Sequence, residues 1–144
     1  MKKIFPKILL SSLFLFMLFG AEFTFSQSDN NKQINKIFSE FENGIRTGAI
    51  KEFSNNLISE TYISLENGES SYYSSNQSFY ILKDFLQNYK PIFFKLINTN
   101  LSEEKPFAIG KLIYSKNGIR GESQVFIALK LEAENWKISQ IIIN

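Results

Sequence analysis

The spacing of apolar positions changes character along the chain. Residues 8–20 are apolar almost without interruption. Residues 27–32 are polar and are expected to fray. Ile34, Ile37, Phe38, Phe41 and Ile45 then recur at helical spacing, one stripe of an amphipathic helix. Gly44 marks its expected end. Residues 49–57 predict a second short helix, with Ile50, Phe53 and Leu57 on one side. Residues 62–66 alternate and predict a strand that the turn pair Asn67-Gly68 closes. Ser74 followed by Gln77 reads as a capping box, in which the Ser74 hydroxyl accepts from the Gln77 amide and the Gln77 side chain reaches back. The helix behind it carries Phe79, Leu82, Phe85, Leu86 and Tyr89 on one face, and Pro91 stops it.

From there the period becomes two. Residues 92–101 form one predicted strand and residues 107–114 another, with Asn117-Gly118 as a hairpin signal. Ser123, Val125, Ile127, Leu129 and Leu131 alternate with Glu122, Gln124, Phe126, Ala128 and Lys130, the pattern of a long half-buried strand. Residues 133–135 turn it into a last strand over 136–143. Helices first, then a three- or four-stranded meander, predict an α+β fold in which N-terminal helices pack on one face of a bent antiparallel sheet. No internal repeat and no linker interrupts the pattern.

Charge separates the first residues from the rest. Lys2, Lys3 and Lys7 precede the apolar run, and Glu22 interrupts it before it reaches the roughly 20 apolar residues that a spanning helix wants. A positive start and a short apolar stretch predict a secretory signal peptide over residues 1–26, cut between Ser26 and Gln27, with a single domain over 27–144. The expected location is therefore exported, periplasmic or secreted, with membrane contact only through the leader before cleavage. The chain holds 16 basic and 14 acidic residues. Without the leader's three bases and one acid, thirteen of each remain, so the body is formally neutral. It has no basic cluster to displace counterions, and no nucleic-acid partner is expected.

Cysteine and histidine are both absent. That removes disulfides, Cys/His zinc sites, thiol catalysis and histidine-based triads. The acids are scattered, so neither a metal nor a cofactor is expected.

The order of elements resembles the nuclear-transport-factor-2-like fold, a bent sheet wrapped around helices into a cone. More narrowly, the chain resembles a family of small secreted proteins of unknown function from Bacteroidetes. That resemblance rests on Gly48, on Tyr73-Ser74 with Gln77, on Phe85 with Asn88 and Pro91, on Phe94, on Phe107-Ala108-Ile109-Gly110 and on Trp136-Lys137-Ile138-Ser139-Gln140-Ile141. It covers roughly residues 33–143. The family pattern has an acid after the glycine, where this chain has Ala49. The resemblance implies a fold and a cone interior, and brings no activity or catalytic residues with it.

No catalytic residue is therefore assigned. Asp84 falls off the apolar face of its helix, and Arg120 and Glu122 lie on the polar side of the long strand, where a cross-strand ion pair or a solvated face is expected. The candidate ligand-binding residues are Gln140, Tyr62, Tyr80 and Tyr114. Each tyrosine offers apolar area with a polar tip. Gln140 shares a side of the last strand with Ile138 and Ile142 in strict alternation, which would make it a buried amide if that side faces the helices. The expected function is a non-enzymatic module of the cell envelope that binds a protein or a small apolar ligand. The alternative is a small-pocket enzyme of isomerase or dehydratase type, working by a carboxylate and a tyrosine. Homodimerisation through the open sheet face is a third expectation.

Overall fold

In the computed structural model of the chain, residues 8–144 are described, with side chains from residue 28 onward. The charged start of the expected leader and the side chains around its expected cut lie outside the described residues. The chain divides into two units, residues 1–32 and 33–144. Helix α1 is Ile8–Thr47, and the polar stretch expected to fray is part of it. Once a helix is nucleated, each added residue gains a hydrogen bond, so weak helix formers in mid-run are carried along.

The second unit holds all six strands and helix α2. α1 does not stop at Gly44. It ends at Thr47, and Gly48 follows with φ +72, donating its N–H to the Ile45 carbonyl at 3.3 Å. Glycine is the residue that takes this left-handed position without steric cost. Gly44 has another reason to be glycine: a Cβ there would meet the Phe53 ring at 2.5 Å. Residues 49–57 are not one helix. They form two 3-10 turns, Ile50–Glu52 and Ser54–Asn56, and the chain is already extended at Leu57. The Phe53 ring packs on Phe41, with centroids 4.9 Å apart, and this anchor breaks the segment into two short turns.

Strand β1 is Leu57–Leu65 and β2 is Ser70–Ser74. Helix α2, Ser75–Asn88, starts on the predicted capping box: the Gln77 amide donates to Ser74 Oγ, and the Ser74 amide donates back to Gln77 Oε1. Then come β3 (Lys90–Asn100), β4 (Phe107–Lys116), β5 (Ile119–Glu132) and β6 (Asn135–Ile143). The sheet order is β2-β1-β6-β5-β4-β3. β3 to β6 are the expected four-stranded antiparallel meander. β1 adds to it parallel to β6, the one parallel pair in the sheet, and β2 pairs antiparallel outside β1.

One face of this sheet carries the core. Phe38, Phe41, Leu82, Phe85, Ile127 and Leu129 are all buried in a single cluster, as the stripes predict. Phe41, Phe53, Phe85 and Phe94 are fully buried, so the space between helices and sheet is filled by aromatic rings. Gly110 contributes by having no side chain: a Cβ there would come within 2.8 Å of the Phe94 ring that lies across it.

Candidate functional site

The opposite, outer face of the sheet holds a groove of about 480 Å³, whose lining includes Ile58, Tyr62, Tyr72, Lys130, Gln140 and Ile142. Two coincident irregularities build it. Between the pairs Leu57/Ile138 and Tyr62/Gln140, β1 advances five residues while β6 advances two, so β1 arches away from its neighbour. On the other side of β6, Leu129 pairs with Ile138 and Ala128 with Gln140, leaving Ser139 as an extra residue. Ser139 Oγ donates to the Ala128 carbonyl at 3.2 Å.

The arch frees backbone groups, and side chains satisfy them. Ser75 Oγ and Thr61 Oγ donate to the Ile58 carbonyl at 3.0 and 3.3 Å. Glu132, at the end of β5, accepts from the Ser59 hydroxyl at 2.7 Å and the Ser59 N–H at 3.2 Å. These donors hold the Glu132 carboxyl below its ordinary pKa, hydroxyl first and backbone second.

The extra residue decides where Gln140 points. Strict alternation puts Gln140 beside Ile138. With Ser139 bulged out, Ile138 stays on the core face with Ile141 and Ile143, and Gln140 moves to the outer face with Ile142. There it lies opposite Tyr62, its Cα partner on β1, and Tyr62 lies opposite Tyr72 on β2. The two tyrosine rings are 5.2 Å apart and tilted by 60°. The Tyr62 hydroxyl bonds to Ser70 Oγ at 3.0 Å, while Tyr72 is 68% exposed. Among the described residues the Gln140 amide has no hydrogen-bond partner. Ile58, buried yet outside the main core cluster, and Ile142 form an apolar floor. Glu60 and Lys130 stand exposed at the rim. The groove can stack a flat apolar body on the tyrosines while one amide reads a polar group.

Tyr62 and Gln140 are thus brought together, and the other two candidates are not. Tyr80 is 59% exposed on α2, edge-on to Phe79. Tyr114 is buried on the core face and donates to Glu66 Oε1 at 2.8 Å. Glu66, just past β1, also accepts from Ser123 Oγ on β5. Burial pushes the Tyr114 phenol above its ordinary pKa, and the Glu66 carboxylate pushes it the same way. Tyr89 packs edge-on against Tyr114 and flat on Phe85, and Lys116 donates to the Tyr89 hydroxyl at 2.6 Å. Neither the role of Glu66 nor that of Lys116 is visible in the apolar stripes, because both sit at strand ends. Asp84 is exposed, and Glu122 forms the cross-strand ion pair expected of it, with Lys111 at 2.8 Å. Among the described residues no set of acidic groups converges to hold a metal.

These features define an α+β domain of nuclear-transport-factor-2-like architecture. Solved structures agree. A protein from Catenulispora acidiphila with a ketosteroid isomerase-like fold, in complex with trimethylamine, aligns with a TM-score of 0.60 at 6% identity, over 76% of this chain and 84% of its own. A protein described as Rd1NTF2_04 with long sheet aligns with a TM-score of 0.61 at 13% identity, over 76% and 98%. The chain itself belongs to the family described as Domain of unknown function (DUF4783), whose model matches residues 38–144. A family member from Bacteroides uniformis is similar, with a TM-score of 0.66 and 19% identity over 74% of this chain and 94% of its own. No curated protein matches the sequence.

Proposed function

We propose that this domain is a non-catalytic binding module of the cell envelope, delivered there by its N-terminal leader, which holds a small amphipathic ligand in the outer-face groove. One observation carries the reading. Tyr62, Tyr72 and a Gln140 amide with no hydrogen-bond partner among the described residues meet over an apolar floor, while the core side of the sheet is filled by its own side chains. The three lysines before a short apolar run support delivery by a leader.

A carboxylate and a tyrosine do meet elsewhere, at Glu66 and Tyr114, and that pairing favours the second reading, acid–base catalysis. It is the weaker one. Both Glu66 oxygens accept from a hydroxyl, and Tyr114 is held in its protonated form, which is the arrangement of a structural strap.

The test is a methyl-resolved NMR titration of the purified protein with a panel of small aromatic and acyl carboxylates and amides. Saturable shifts at Ile58 and Ile142 that vanish in Tyr72→Ser/Gln140→Leu are the expected result. Shifts confined to α2, or reproducible hydrolase or isomerase turnover abolished by Glu66→Gln, would overturn the reading.

A further inference from the structure

The groove carries two charges that the fold leaves unpaired. Tyr72 on β2, Tyr62 on β1, Gln140 on β6 and Ala128 on β5 are successive cross-strand partners, one row across four strands. One step along, toward the β5–β6 turn, Glu60 on β1 and Lys130 on β5 stand on either side of β6, exposed and lining the groove. Among the described residues neither side chain forms an ion pair or a hydrogen bond. The neighbouring charges are already engaged. Lys137, the cross-strand partner of Lys130, donates to the Asn55 carbonyl at 2.7 Å, and Glu132 accepts from Ser59. Two lysines directly opposite on one sheet face repel each other, and an anion placed against Lys130 relieves that repulsion.

We infer that the groove takes a free short peptide of two or three residues, bound as a zwitterion. Its ammonium lies against Glu60, its carboxylate against Lys130, a backbone amide against the Gln140 amide, and an apolar or aromatic side chain on Tyr62 and Tyr72. The inference rests on the groove being the binding site, and it names what that site holds.

Three features select this class. The first is sign. A singly charged acid or amine would leave Glu60 or Lys130 unmatched, and a neutral ligand would leave both, whereas a zwitterion complements each. The second is span. β1 and β5 are two strands apart, about 9.6 Å at about 4.8 Å per strand. An extended peptide reaches about 7 Å with two residues and about 10 Å with three, whereas the two charges of a single amino acid are borne on one carbon and are too close together to match. The third is the group between the charges. The Gln140 side chain offers a carbonyl acceptor and an NH₂ donor, the complement of a peptide group. The groove volume of about 480 Å³ lies in the range of sites that hold small molecules, about 300–1,000 Å³.

Methyl-resolved NMR titration of the purified protein with alanyl-phenylalanine tests this, beside its N-acetyl form, its C-terminal amide and phenylpropionate. The free dipeptide should give saturable shifts at Ile58 and Ile142 with the lowest Kd of the four. Each block should weaken binding about three- to fivefold, the contribution of an exposed ion pair. Glu60→Gln should weaken the free dipeptide by a similar factor and no longer distinguish it from the N-acetyl form. Lys130→Gln should do the same for the amide form. Both side chains are exposed, so the variants keep the fold, which circular dichroism checks. Equal binding of free and blocked peptides would point to an internal segment of a protein chain. That result, tighter binding of phenylpropionate, or discrimination that survives in the two variants would overturn the inference and leave the groove as a binding site. No saturable shift at Ile58 or Ile142 with any of these compounds would overturn both.

Discussion

Replacing Phe85 by alanine tests the packing of α2 most directly. Phe85 is 1% exposed, and its ring lies flat on Tyr89 with centroids 4.3 Å apart and planes 14° from parallel. Truncating a buried phenylalanine costs about 3–5 kcal/mol. A well-formed aromatic pair contributes about 0.5–1.5 kcal/mol beyond area. The ring lies in the buried cluster, stacked on Tyr89, which in turn packs on Tyr114 of the sheet, so we expect about 4 kcal/mol. Domains of this size are stable by about 5–15 kcal/mol, so a loss of about 4 kcal/mol is a large fraction of the total and moves the urea midpoint well down. Urea titration followed by fluorescence is the assay, because Trp136 is the single tryptophan and is buried. Two neighbours calibrate it. Phe79, partly buried on the same helix, should cost about half as much as Phe85 when cut to alanine. Tyr80, 59% exposed, should stay within about 0.5 kcal/mol of wild type. A cost below about 1 kcal/mol for Phe85→Ala, or a Tyr80→Ala cost as large as that of Phe85→Ala, would refute the packing described.

Three further predictions follow from other parts of the molecule. A Cβ on Gly121 would fall on the Tyr114 ring, so Gly121→Ala should displace the ring, break its bond to Glu66 and lower stability by about 1–3 kcal/mol in the same urea assay; no change would mean that the ring has room to move. Tyr114 has its pKa raised in the folded state, so its contribution is complete below the unfolded value of about 10 and is lost as pH rises through the folded value. Thermal melts should thus show an alkaline decline that is shallower in Tyr114→Phe; Tyr73, raised by donating to Glu69, keeps part of that decline in the variant. Mass spectrometry of protein recovered from the envelope or medium should find Gln27, or a residue within a few positions of it, at the N-terminus, and an intact Met1 would defeat the export proposal.

The elements whose signal is local were legible in the sequence. The capping box at Ser74 and Gln77 needs only two side chains and the backbone between them, and the hairpin at Asn117-Gly118 forms with both residues at positive φ, 52 and 80. The meander was legible because β4 and β5 alternate cleanly between one buried and one open face. What escaped depends on partners distant in sequence. β2 carries almost no apolar alternation, because it is a short, mostly exposed edge strand defined by its pairing with β1. Gly44 resembled a helix stop, whereas its small size serves the Phe53 ring. The face of Gln140 was decided by the single bulged residue Ser139, which shifts everything after it by one and has no signature of its own. Tyr114 and Glu66 meet only because β1, β4 and β5 end near one another.

The strand order has a consequence for how the chain is made. β6 is last in sequence but lies inside the sheet, with β1 on one side and β5 on the other; Ile63 of β1 waits for Ile141 of β6. The meander can form from local hairpins as it is synthesised. β1 and β2 pair with each other, but that hairpin has nothing to join until residues 135–143 have been made, and such non-local pairing is slow to close. The growing polypeptide therefore cannot complete its sheet ahead of time. Until β6 is in place, the β1–β2 hairpin and the β3–β5 hairpins are separate pieces, and the edges of β1 and β5 are open to any other extended strand.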